Sequence, residues 1–502
     1  MAVGSMNLRS MRFLSACALG GLATIAAGGA QANVVTYHNT FARQGAYVAP
    51  GLTQAAAANL KLDTGFSGAV SGNVYAQPLY WHPSGAAHGQ LIVATESNVV
   101  SALDAVTGAT LWSVQLPAAV PNGVLPCGDI DPEGITGTPV LDPASGTLYL
   151  DSLTQLNGVP THQIFALSLT NKGATLPGWP ISVDAAMKAA GASFSSATQG
   201  ERSAALLYDG DLYFTFGGRD GDCGTYYGTV IQIDPATQKL VGDWQTRAHG
   251  GGIWAQGGIA SDAHSLFVTT GNTMGASSWM DGEAIIRLLP GLAHSSSTAD
   301  YFTPSSWQNL DQTDRDLGGT EAIPLNVPTG TGRTVPRVIA FGKDGNAYLV
   351  NRNNLGGIGG SAVITPLSNT VIITAPAVYE TATRTMVAFT NYSALSPCSG
   401  NVLSMIDVAA SGKTPVKLAW CGAFNGGGSP IVTTTDGASE PIVWVVGAEG
   451  DNLLHGFNAT TGAVVFGGAG ATMNGLHRFQ TLIAAEGRLY VAGDNRIYAF
   501  TW

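Results

Sequence analysis

The chain has 502 residues, a formal net charge of −11 and only 11% charged residues, well under the roughly 25% of ordinary domains. An acidic chain of this kind is not built to bind nucleic acid or anionic lipid by charge. Its 66 glycines and 24 prolines suit a fold made of short elements and many tight turns.

The N-terminal stretch comes first. Arg9 and Arg12 precede an apolar run over residues 13–27, and Ala30-Gln31-Ala32 offers a small-x-small cleavage site. The pattern predicts an export signal over residues 1–32, cut near Ala32, and a single mature domain over 33–502. Leu14-Ser15-Ala16-Cys17 is a competing, lipobox-like reading, but little hydrophobic sequence precedes Cys17. Downstream, no apolar run has the length of a membrane span. The expected destination is the periplasm or the medium. Cys127, Cys223, Cys398 and Cys421 remain after cleavage. An even number in an oxidising compartment predicts two disulfides. The chain holds no C-x-x-C-H for a covalent haem domain and no C-x-x-C pair for zinc.

Short strands then recur every 50 to 60 residues or so, a period that signals a propeller or solenoid. The clearest unit begins at Tyr75-Ala76-Gln77-Pro78-Leu79, runs through 90–95 and 99–104, and ends at Thr107-Gly108 and Trp112. Further units start near Thr138, Ser203, Gly257, Ala375, Ser429 and Gln480. Alternating runs bounded by Gly, Asp and Asn read as antiparallel strands. About eight such units of four strands each would fill the mature length. The only helical hint is an Ala-rich piece at 184–190. The expected fold is all-β, a single eight-bladed β-propeller of four-stranded antiparallel blades. Residues 34–37 are expected to add a strand to the last blade and close the ring.

Two motifs carry a family resemblance. Ala102-x-Asp104-x-x-Thr107-Gly108-x-x-x-Trp112 is similar to the tryptophan-docking repeat of quinoprotein propellers, and Trp244 and Trp420 stand in comparable places. Residues 250–272, GGGIWAQGGIASDAHSLFVTTGN, resemble the pyrroloquinoline quinone (PQQ) alcohol dehydrogenases. In that family a GGGTxW run supplies the Trp under the quinone, and a following GN supplies a calcium ligand. The resemblance assigns the floor to Trp254 and the calcium amide to Asn272, against blade packing for Trp254 and turn chemistry for Asn272. Lys343, in Gly342-Lys343-Asp344-Gly345-Asn346-Ala347-Tyr348, resembles the family Lys or Arg that contacts the quinone oxygens.

Other positions depart from the family. Its C-C-D-x-x-N-R-G run becomes Cys127-Gly128-Asp129-Ile130-Asp131-Pro132-Glu133-Gly134 here. An acid thus replaces an Arg that binds carboxylates, which should repel PQQ. The calcium Glu falls near Cys223, where Asp220 or Asp222 is the nearest substitute. The catalytic Asp of T-P-G-D-x-W becomes Thr303-Pro304-Ser305-Ser306-Trp307, with Asp311, Asp314 and Asp316 out of register. Because Cys127 and Cys223 both fall at positions bordering the family cofactor, the resemblance implies a Cys127–Cys223 bridge across the mouth, leaving Cys398–Cys421 within one blade. Gln77, Thr136, Thr138, Arg202, Gln256 and Gln480 begin first strands and are expected to line the mouth. Arg202 is either an acid-binding group replacing the lost Arg or a clamp between blades. The lone His249 is expected to be structural.

The expected function is an exported propeller that binds a small molecule or a protein through its channel mouth, with the usual dehydrogenase set incomplete. The alternative is a PQQ-dependent alcohol or sugar dehydrogenase with a modified site, resting on Trp254, Asn272 and Lys343. The cofactor is left open, with PQQ and calcium as its candidates. A scaffold in outer-membrane protein assembly is a third reading, resting on the fold and the export signal alone.

Overall fold

The computed structural model describes residues 33–400 and 402–502. The expected export signal and Cys17 lie outside the described residues.

Eight sheets of four or five strands follow one another along the chain. Blade 1 runs from Leu79–Trp81 to Thr110–Gln115, and blade 2 from Val140–Asp142 to Ala174–Thr175. Blades 3 and 4 begin near Leu206–Tyr208 and Ala260–Ser261, and blades 5 and 6 at Ile323–Pro328 and Ala377–Glu380. Blade 7 begins at Ile431–Thr434 and blade 8 at Leu482–Ala485. The four main strands of a blade pair antiparallel, as at Ile92↔Ala102 and Ala102↔Trp112, and blade 4 adds Gly357–Ile358 in parallel beside Phe302–Thr303. The chain is an eight-bladed β-propeller.

The docking repeat has a local cause. Asp104 Oδ1 accepts from the amides of Val106 (2.9 Å) and Thr107 (2.8 Å), which turns the third strand into the fourth. Asp234 and Asn458 build the same turn. The Trp on the fourth strand then packs on the next blade. A Cβ at Gly173 of blade 2 would stand 2.6 Å from the Trp112 ring, and one at Gly462 of blade 7 would stand 2.8 Å from Trp420. Trp420 Nε1 also donates to Ala459 O of blade 7 at 2.8 Å. Each such ring is nearly buried, so the repeat joins blades through apolar area, with a directed bond added at Trp420.

The ring closes differently from the sequence expectation. Lys61–Leu62, and not residues 34–37, supplies the extra strand of blade 8, pairing with Phe500 and Thr501. The segment from Val34 onward instead winds along the inner strands. It pairs with Tyr80 of blade 1, and Val35 O accepts from Leu141 N of blade 2. Phe41 O accepts from Ser261 N of blade 4, and Gln44 O accepts from Val378 N of blade 6. Ala46–Val48 then runs parallel to Val432–Thr434 of blade 7. Arg43 pins this segment. It is 0% exposed, and its guanidinium donates to Ile259 O, Ala205 O and Thr36 Oγ1 at 3.1, 3.0 and 2.6 Å. The axis is therefore filled at one end by the protein's own chain.

Besides the single turn Gln54–Ala57, two α-helices among the described residues interrupt the strand pattern. Val183–Ala190 is capped by Ser182 and ended by Gly191 at φ 81°, matching the Ala-rich hint. Trp307–Thr313 lies between blades 4 and 5 and ends on Asp314 in the left-handed region. Among the described residues no helix is long and apolar enough to cross a membrane.

Candidate functional site

Second strands of successive blades end on one face of the ring, and their last residues meet there. Asp211–Gly218 leads to Arg219 and Asp220, Leu266–Thr270 to Asn272, and Thr334–Phe341 to Lys343. The loops entering the first strands bring Arg202, Trp254 and Phe479 to the same face. Together they enclose a cavity of about 340 Å³.

The glycine triplet explains how Trp254 gets there. Gly251 N donates to Asn272 O at 2.7 Å, and Gly250 N to Tyr226 O at 2.9 Å. A Cβ at Gly250, where φ is 88°, would stand 2.6 Å from Asn272 O. Only bare backbone lies flat against both neighbouring strand ends. Asn272 and Trp254 are thereby fixed relative to each other by main chain.

Asp316 is the hub of this half of the cavity. Its Oδ2 accepts from Trp254 Nε1 (2.9 Å) and stands 2.9 Å from Lys343 Nζ; its Oδ1 accepts from Asn272 N (3.2 Å). Lys343 Nζ also reaches Asp314 at 2.8 Å and lies 5.1 Å from the Trp254 ring centre. Burial raises the Asp316 carboxyl against the pull of Lys343. Burial disfavours the Lys343 ammonium, yet Asp316 and Asp314 outweigh it and raise its pKa. Behind them Glu283 is fully buried. Its Oε2 accepts from Leu317 N at 2.6 Å, while Oε1 has no partner. Burial and the Asp316 charge raise the Glu283 carboxyl well above its usual range.

The far side is built from blade 1 and blade 3 loops. Cys127 is bonded to Cys223 and Cys398 to Cys421. The first bridge flanks the cavity: a Cβ at Gly221 would stand 3.5 Å from Cys127 Cβ. Asp222 Oδ1 accepts from Tyr226 Oη at 2.6 Å. Glu133 does not face the cavity as a free acid. It forms a buried ion pair with Arg219, whose other donors go to Ser196 O, Ala197 O and Gln199 O. The expected repulsion at Glu133 is thus cancelled within the protein.

Trp254, Lys343, Arg202, Asn272 and Asp222 line the one cavity. Thr138 and Gln256 lie deeper, in a narrow throat beneath Arg202, Arg478 and Phe479. Gln77 serves the axial segment: its Oε1 accepts from His38 N at 2.9 Å, its amide N donates to Thr138 Oγ1 at 2.8 Å, and its Nε2 donates to Thr36 O at 3.3 Å. His249 bonds Gly224 O at 3.0 Å through Nε2. Sequence reasoning missed Asp316, Arg219, Arg478 and Phe479. Asp316 looked out of register because the helix Trp307–Thr313 occupies the aligned stretch and the chain returns to the mouth only after it. Arg478 is a lone Arg with no motif around it.

Two cofactor elements can be tested against this geometry. A flat anion fits the Trp254 ring and the four cations Lys343, Arg202, Arg219 and Arg478 of the wall, which the carboxylates of Asp220, Asp222, Asp314 and Asp316 share. A tightly held calcium fits less well, since among the described residues no three His, Cys, Asp or Glu side chains gather as a metal site.

The fold is an eight-bladed propeller whose mouth has the size of a small molecule. This fold is shared with the quinohemoprotein alcohol dehydrogenase of Comamonas testosteroni, at TM-score 0.61 and 14% identity over 93% of this chain and 80% of that one. A europium-containing methanol dehydrogenase matches at TM-score 0.64 and 14% identity, over 94% and 98% of the two chains. BamB from Moraxella catarrhalis matches at TM-score 0.51 and 14% identity, over 88% and 100%. No family model and no curated protein matches the chain. At such identities the likeness is one of fold.

Proposed function

We propose that the protein is an exported propeller, released by cleavage near Ala32, that binds a flat, anionic small molecule in its channel mouth. The observation that carries this reading is the convergence of Trp254 and Asn272 of blade 4 and Lys343 of blade 5 on Asp316 in one cavity. A Trp face gives a flat ligand apolar contact, and the Lys gives it charge. The two disulfides support an oxidising compartment.

A second reading, quinone-dependent oxidation as named for the dehydrogenase neighbours, is favoured by one observation. Asp316 places a buried carboxylate beside Trp254 and Lys343, where a base for an alcohol proton would be useful. When bound, PQQ would supply the two-electron acceptor; Trp254 would support its ring and Lys343 its oxygens. The test is calorimetric titration of the purified protein with PQQ, with and without calcium, followed by a dye-linked assay on alcohols and sugars. Binding without turnover supports the first reading and turnover supports the second. Failure of PQQ and of simpler aromatic acids to bind would sink both.

A further inference from the structure

The cavity has a second storey. Beneath it lies the narrow throat bordered by Tyr37, Tyr75, Thr138, Gln256 and Thr481, and Arg202, Arg478 and Phe479 belong to both levels. Tyr37 comes from the 3-10 turn Tyr37–Asn39 of the axial segment, so the protein's own N-terminal segment borders the throat. Two features of this throat ask for a ligand group. Gln256 is 7% exposed, yet neither its amide nitrogen nor its oxygen has a partner. An unpaired buried amide costs stability that a bound polar group would restore.

The second feature is a pair of under-used guanidinium groups. Arg202 Nη2 lies 3.3 Å from Asp129 Oδ1, and Arg478 Nη1 lies 3.7 Å from Asp129 Oδ2. Arg478 Nε is 3.6 Å from Glu449, and its side chain is 45% exposed. Good charge-assisted bonds lie near 2.7–2.9 Å, so these contacts are loose. Arg202 also stacks over Phe479, 5.7 Å from its ring centre, which holds its plane at the throat's lip. By contrast Arg219 is buried and tied to the protein, its Nε and Nη2 on backbone carbonyls and its Nη1 paired with Glu133.

Resting on the small-molecule reading above, we infer that Arg202, Arg478 and Gln256 form a carboxylate subsite in the throat, for which Asp129 is the internal stand-in. A ligand acid displaces Asp129 from the two guanidinium groups and takes a bond from the Gln256 amide. The ring of the ligand stays above, beside Trp254. The preferred class is therefore an aromatic acid with its carboxylate directed down the axis. Asp129 lies two residues from the bridged Cys127, so the loop carrying the stand-in is tethered and its release is confined to the side chain.

The test uses the mature protein with benzoate, benzamide and acetate as probes. Calorimetry should show benzoate binding at least about tenfold tighter than benzamide. Asp129→Asn should tighten benzoate about three- to tenfold, because the competing carboxylate is gone, while Arg478→Gln should weaken it at least about tenfold. A residue with only a structural role would not give a gain on Asp129→Asn. Arginine modification by phenylglyoxal, mapped by mass spectrometry, separates this subsite from the Trp floor. Acetate should shield Arg478 in the wild type and in Trp254→Leu alike. Equal binding of benzamide and benzoate, or no tightening in a folded Asp129→Asn variant, overturns the subsite. So does failure of both acids to shield Arg478. Acetate shielding with no gain for benzoate over acetate would leave the subsite standing and sink the Trp254 floor.

Discussion

Two cations at the centre of the ring, Arg43 fully buried and Lys343 half-buried, are held in opposite ways. Arg43, at the filled end, is bonded to neutral acceptors: four backbone carbonyls and a threonine hydroxyl within 3.4 Å. Burial depresses its pKa to about 10, although the Glu321 charge opposes this. Lys343, at the open end, is 21% exposed and held between two carboxylates. The Arg fork spans three loops at once and cannot move without leaving carbonyls unpaired. The Lys point charge has a carboxylate on the solvent side, Asp314, that is 67% exposed and free to exchange with a ligand. The same ring thus uses one cation to fix its own chain and another to present charge to a cavity.

The sharpest break of this comparison is Arg43→Met. It should cost about 3–5 kcal/mol, since several buried carbonyls lose their donor. Denaturant unfolding should show it, and Arg43→Lys should recover little. A loss below about 1 kcal/mol would mean that the axial segment is not a structural part. Next in size is the mouth bridge. Replacing Cys127 and Cys223 together by Ser should cost about 2–4 kcal/mol, read as a lower urea midpoint, with the secondary-structure spectrum retained.

Glu321 gives a pH test at the filled end. Burial pushes its pKa from 4.5 to about 7, against the opposing charge of Arg43. The folded state therefore keeps a proton that the unfolded chain loses above about 4.5, so this group's contribution to stability falls as pH rises from 4.5 through 7. Glu321→Gln should match the wild type at pH 4 and exceed it by about 3 kcal/mol at pH 8. The smallest expected effect is Lys343→Met, about 1–2 kcal/mol, because Asp316 keeps two neutral donors and can take up a proton. Its larger consequence should be weaker anion binding in the mouth.

Much of the fold was legible because its cause is local. Asp104, Thr107, Gly108 and Trp112 make a turn and a docking ring within nine residues of sequence, and the pattern recurs. The Gly250–Gly252 triplet was legible for the same reason: its neighbours require bare backbone. The site was legible only where it sits on such repeats, at Trp254, Asn272 and Lys343. Asp316 was not, because a helix inserted between blades 4 and 5 breaks the spacing that would align it.

The sequence by itself determined the class, the repeat, the blade number and the residues at strand ends, since alternation, turn chemistry and ring docking act over a few residues. Tertiary structure alone decided what fills the axis and what faces the mouth. Arg43 meets carbonyls more than 160 residues away, and Glu133 is neutralised by an Arg on another blade. Such pairings follow from ring closure, which brings distant loops to one axis and leaves no local trace in the chain.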